Sequence, residues 1–160
     1  MKTSEYLRIL VGAAVICVAG TATGVGLNFN LLVESTRKAA EGVVEERFKD
    51  IKLISIEEAK ALFDAGKTVF LDARDASDYE SGHIKGAVNL PFEDFAMKFP
   101  EVSKILKSGD SIVTYCSGAD CELSKSLGEK LIHMGYKNTV VFSGGWPQWV
   151  KAGYPVEKGR

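Results

Sequence analysis

Cys116, in the segment SIVTYCSGADCELSKSLGEKL, is the side chain best placed for chemistry in this sequence of 160 residues. A β-branched run from Ser111 to Tyr115 reads as a strand that ends at Cys116, and a helical pattern opens near Glu122. Backbone amides converge at such a strand-to-loop-to-helix junction, and the helix N-terminus adds partial positive charge. Both stabilise a thiolate or a bound anion. Unpaired cysteines are otherwise among the most buried residue types and act as small hydrophobes. Position favours the chemical reading here, because Cys116 follows the apolar run instead of lying within it. Ser117, Gly118, Ala119 and Asp120 are small or turn-forming and let backbone approach a ligand closely. The pattern predicts a nucleophilic sulfur in an anion-binding cradle.

The elements that must position this loop alternate between strand and helix from Ile51 onward, the mark of an α/β domain with a largely parallel sheet. LIS is a short strand, and Ile56 to Ala65 a helix with Ser55 as its N-cap and Gly66 after its end. TVFLDA reads as a buried strand, Asp75 to Ser81 as a short helix, and GAVNL as a strand stopped by Pro91. Two helical pieces are expected around Phe92 to Phe99 and Val102 to Leu106. SIVTY, a helix from Glu122 to Met134, TVVF, and a last helix from Trp146 to Ala152 follow. Val69, Phe70, Leu71, Val88, Ile112, Val113, Val140 and Val141 supply a core covered by helices on both faces. Ligands of open parallel sheets bind beyond the carboxyl ends of the strands, where Cys116 stands.

Ahead of this domain, residues 1–8 form a polar tail and residues 9–27, ILVGAAVICVAGTATGVGL, carry no charge. As a helix the run would span roughly 28 Å, close to the thickness of a hydrocarbon core. A single transmembrane helix or signal anchor is the leading expectation. A cleaved signal peptide ending near Gly20, Thr21 and Ala22 and a buried core helix are the alternatives. Cys17, inside the run, is assigned no chemistry. Lys2 and Arg8 before the span, with Arg37 and Lys38 set back after it, favour a cytoplasmic N-terminus and an extracytoplasmic domain. A secreted or periplasmic product after cleavage is the alternative location. Residues 28–50 alternate apolar and charged side chains and read as a juxtamembrane linker, helical or extended. The charge balance of 20 Lys+Arg against 21 Asp+Glu leaves no basic footprint for nucleic acid. Oligomeric state is not encoded in any pattern of this kind.

The succession VFLDARDASDYESGHIKGAVNLP, IVTYCSGADC opening a helix, and GYKNTVVFSGGWPQWVKAGYPV closely resembles a single rhodanese-like domain, over residues 51–158. The resemblance implies a five-stranded, mostly parallel sheet flanked by helices. It also implies sulfurtransferase activity without metal or organic cofactor. Cys116 would attack the outer sulfur of a donor such as thiosulfate or a persulfide, carry that sulfur as a persulfide, and pass it to a thiol-type acceptor. The loop Ser117, Gly118, Ala119, Asp120 and Cys121 would supply the amides that hold thiolate, persulfide and anionic donor. Asp72 and Arg74 match the family's Asp-x-Arg pair, expected to tie the strand end to segments near the loop, with Arg74 also able to shape the site's electrostatics. His83 is expected in a structural turn, His133 late in a helix without a role, and Gly144, Gly145, Trp146 and Trp149 in a closing turn and helix that pack the domain.

Many loops of this family place glycine third and arginine or another hydrogen-bonding residue fifth after the nucleophile. Here Gly118 is second, Ala119 third and Cys121 fifth. Asp120 adds a negative charge that disfavours a doubly charged donor and points to a thiol, a persulfide or a partner protein. Cys121 has two readings: a first-turn helix residue packed against the sheet, or a thiol that pairs with Cys116 or resolves its persulfide. The sixth residue after Cys116 is Glu122, which excludes the arginine that phosphatases of this fold use to grip phosphoryl oxygens. A non-catalytic binding or thiol-redox sensing module remains the alternative function.

Overall fold

The computed structural model describes residues 33–39, 48, 51–118 and 121–159. The chain divides into two units, Met1–Arg47 and Phe48–Arg160. In the first, residues 33–39 form an exposed helix. The uncharged run 9–27, with the expected membrane span, lies outside the described residues. Among the residues described, no helix is long and apolar enough to cross a membrane.

The second unit runs β1 (Leu53–Ile54), α1 (Ile56–Asp64), β2 (Thr68–Asp72), α2 (Ala76–Ser81), β3 (His83–Ile84), β4 (Val88–Asn89), α3 (Phe95–Val102), β5 (Ser111–Tyr115), α4 (Glu122–His133), β6 (Thr139–Phe142), α5 (Gly145–Lys151) and β7 (Val156–Glu157). The order β1-β6-β5-β2-β4 makes a five-stranded sheet, parallel throughout, as expected from the alternation of strands and helices. Its central strands are continuous apolar runs because both faces are covered. Alternation along them divides the core. Phe70, Val113 and Tyr115 face Ala59 of α1 and Trp149 of α5. Leu71, Ile112 and Cys116 face Phe95 and Val102 of α3 and Leu127 and Leu131 of α4. Burying each large side chain contributes about 1.5–3 kcal/mol.

Local signals set the helix ends. Ser55 accepts from the Glu58 amide at 3.3 Å while Glu58 accepts from the Ser55 amide at 2.9 Å, a capping box that fixes the start of α1. Asp75 accepts from the Asp78 amide at 2.8 Å and starts α2.

The segment after Pro91 differs from expectation. One helix, Phe95–Val102, runs through Pro100 where two pieces flanking it were expected, and Val102 to Leu106 continues as turns. Pro100 forfeits only its own amide bond within this short helix. The backbone then tightens, with Ile105 donating to the Val102 carbonyl three residues back at 3.1 Å. The strand expected over GAVNL is reduced to Val88–Asn89 at the sheet edge. A second sheet, the antiparallel pair β3 and β7, was not anticipated.

Candidate active site

β5 carries Cys116 to the carboxyl end of the sheet, between two neighbouring strands, and the loop that follows turns back into α4. Alternation puts the Cys116 side chain on the α4 face, among Leu71, Leu90, Leu127 and Leu131. Its residue is 1% exposed. A disulfide joins Cys116 to Cys121, whose Cα lies 6.2 Å away. Cys121 is the N-cap of α4, and its sulfur accepts no capping hydrogen bond. The Ser117 hydroxyl lies 3.6 Å from the Cys116 sulfur. The Cys121 amide donates to the Gly118 carbonyl at 3.1 Å. Ala119 and Asp120 lie outside the described residues.

The backbone of Cys116 is held from the far side of the loop. The Trp146 amide donates to the Cys116 carbonyl at 2.8 Å. This approach is possible only because residue 145 has no side chain: with φ +56, a Cβ at Gly145 would stand 2.2 Å from the Cys116 carbonyl oxygen and 2.9 Å from the Gly118 nitrogen. Gly145→Ala should therefore cost roughly 2–4 kcal/mol, from left-handed strain plus a clash with backbone. Gly153 has φ +71 but nothing within 4 Å of a new Cβ, so Gly153→Ala should lose only about 1 kcal/mol. Urea unfolding midpoints of the two variants measure the difference.

Asp72 and Arg74, at the end of the adjoining β2, form a buried tie. Arg74 donates from Nε to Oδ1 of Asp72 at 3.0 Å and from Nη2 to Oδ2 at 2.6 Å. Nη2 also donates to the Gly82 carbonyl at 2.8 Å, and the guanidinium lies 5.0 Å from the Trp146 ring centroid. Burial opposes the charge on Arg74, but the hydrogen bond and field of Asp72 win and hold its pKa above the ordinary value. On the opposite face of the sheet from Cys116, burial first and then the Asp72 charge push the Tyr115 hydroxyl far above its usual range, so it is neutral. It accepts from the Ile84 amide at 3.2 Å. Asp72 and Arg74 thus bind the end of β2 to β3 and α5 and engage their own partners.

A family model described as the rhodanese-like domain matches residues 55–152. The chain belongs to the rhodanese-like domain family. The solution structure of a rhodanese-like domain from Anabaena sp. is similar at 28% identity and TM-score 0.56, covering 66% of this chain and 78% of that one. A thiosulfate sulfurtransferase from Pseudomonas aeruginosa shares the fold, at 24% identity and TM-score 0.57, over 74% of this chain and 22% of that one. Among curated relatives, a tRNA uridine(34) hydroxylase from Photorhabdus laumondii is 30% identical over 115 residues, 68% of this chain. The chain spans about a third of that protein's length, 32%.

Within the rhodanese-like domain, His83 is locked away from the thiol. It is 1% exposed, stacks on Tyr79 with ring centroids 3.7 Å apart, and contacts the Tyr79 carbonyl at 2.8 Å and the Glu157 carboxylate at 3.2 Å. Both ring nitrogens are engaged, Nδ1 with α2 and Nε2 with β7, which suits a structural role. A hollow of about 650 Å³ is lined by Lys52, Glu58, Ser111 and Asn138, among others. Ser111 starts β5 and Cys116 follows its end, so that hollow belongs to the opposite edge of the sheet. Sequence reasoning treated Gly145 and Trp146 as packing and missed their backbone grip on Cys116. The adjacent glycines before Trp146 were the available signal, since only glycine admits both the positive φ and the close approach.

Proposed function

We propose that the chain is a membrane-tethered sulfurtransferase that moves a sulfane sulfur through a persulfide on Cys116. The observation that carries this reading is the place of Cys116, at the carboxyl end of β5 and the foot of α4, in a domain of the rhodanese-like family. Once its disulfide is reduced, the thiolate attacks the outer sulfur of thiosulfate or a persulfide. A bond forms from Cys116 Sγ to that sulfur, the donor's sulfur–sulfur bond breaks, and sulfite or a thiolate departs. An acceptor thiolate then takes the outer sulfur and returns Cys116 to its starting state. Helix α4 and the loop amides favour the anionic states at each stage.

Purified full-chain Cys121→Ser, reduced, desalted and incubated with thiosulfate or inorganic polysulfide, should gain the mass of one sulfur atom on Cys116. Failure to gain it from either donor would favour the thiol-redox sensing reading, which the disulfide itself supports. Uridine hydroxylation is a different reaction, and the part of that relative shared with this chain is too small to carry it over. Tethering rests on the uncharged run 9–27. The expressed chain should stay with the membrane pellet through alkaline carbonate extraction, and its release into the supernatant would remove the anchor from the proposal.

A further inference from the structure

The geometry points to Cys121 as an internal acceptor: it resolves the Cys116 persulfide, releases hydrogen sulfide and closes the disulfide, making the domain a sulfane-sulfur reductase that depends on an external dithiol. This inference rests on the reading of Cys116 as a sulfur carrier. Three observations support it. The two sulfurs reach bonding distance with the strand end and α4 both in place. Cys121 caps α4 without spending its sulfur on a capping hydrogen bond, so the sulfur is available for attack and its thiolate benefits from the helix N-terminus. Cys116 is 1% exposed whereas Cys121 is half-buried, so the two sulfurs differ in access.

The step balances. The Cys121 thiolate attacks Cys116 Sγ, the inner sulfur of the persulfide and the atom to which it is bonded here. A Cys121–Cys116 bond forms, the bond to the outer sulfur breaks, and that sulfur leaves as hydrosulfide and takes up a proton. The sulfane sulfur is reduced, and the two cysteine sulfurs are oxidised. Restoring the site requires two electrons from a dithiol reductant, whose thiolate attacks the more accessible Cys121 sulfur and expels Cys116 as a free thiolate. The reductant thereby returns the nucleophile directly to its reactive form. Small external thiols compete poorly for the hidden Cys116 persulfide, while Cys121 is held beside it.

The test uses the reduced, desalted full chain with thiosulfate or inorganic polysulfide and no added thiol. Wild type should release one equivalent of sulfide per chain, lose the Cys116 and Cys121 thiols and end two hydrogens lighter than the reduced chain. Cys121→Ser and Cys121→Ala should keep one added sulfur on Cys116 and release sulfide at least about 100-fold more slowly. Further sulfide from wild type should appear only when dithiothreitol is supplied. A wild-type chain that holds a lasting persulfide beside a free Cys121 thiol would overturn the internal acceptor and leave sulfur carriage intact. Sulfide release by the two variants at the wild-type rate would also overturn it. If neither wild type nor the variants takes up sulfur, sulfur carriage fails and this step fails with it.

Discussion

Cys116→Ser, treated with reductant and then with thiosulfate or polysulfide, is expected to take up no sulfur, a loss of at least about a thousandfold in loading rate. A serine hydroxyl is not ionised near neutral pH, and its hard oxygen forms no stable counterpart of a persulfide. Ser117→Ala should behave very differently. It removes a hydroxyl 3.6 Å from the sulfur, a contact worth about 1 kcal/mol, so loading should fall by less than about tenfold. Wild type that has not been reduced should be as inert as Cys116→Ser, because the sulfur is already bonded and its residue is 1% exposed. Intact mass after short incubation separates these cases. Substantial loading of Cys116→Ser would place the chemistry on another group.

Asp72→Ala should be the most damaging single change away from the sulfur. Asp72 is fully buried and Arg74 is 5% exposed, so removing the carboxylate leaves a guanidinium in the interior with the Gly82 carbonyl, the Trp146 ring and the field of Asp78 to face it. Breaking a buried pair in this way costs about 3–5 kcal/mol. For a domain of this size the expected fall in Tm exceeds about 10 °C. Asp72→Asn retains an oxygen acceptor and should lose less. The double variant Asp72→Ala, Arg74→Met removes the stranded charge and should recover part of the loss, which a double-mutant cycle by thermal unfolding would quantify. If the double variant is no more stable than Asp72→Ala, desolvated charge is not the cause.

The parallel sheet was legible because its central strands announce themselves: TVFLD, SIVTY and TVVF are apolar runs bounded by turn residues, and both faces need covering. Ser55 was legible because a capping box is local chemistry. The β3 and β7 pair was not, since two-residue strands have no periodicity and their pairing is decided by residues distant in the chain, His83 and Glu157 among them. Pro100 inside α3 shows packing of Phe95 and Val102 overriding a breaker. At the site, the spacing of Cys116 and Cys121 revealed a possible pair, but whether their sulfurs converge depends on loop geometry. The Trp146 amide's bond to the Cys116 carbonyl is a main-chain contact and leaves only its glycine as a trace in the sequence.

That same bond has a consequence for the order in which a ribosome makes this protein. Cys116 emerges well before Gly145 and Trp146, so a nascent chain presents its thiol while the backbone clamp across the loop does not yet exist. Cys121 follows at a sequence separation of 5. The partner able to cap the sulfur is therefore translated almost with it, whereas the segment that shapes the finished site arrives late. On this schedule the site takes its final shape only after α5 has left the tunnel.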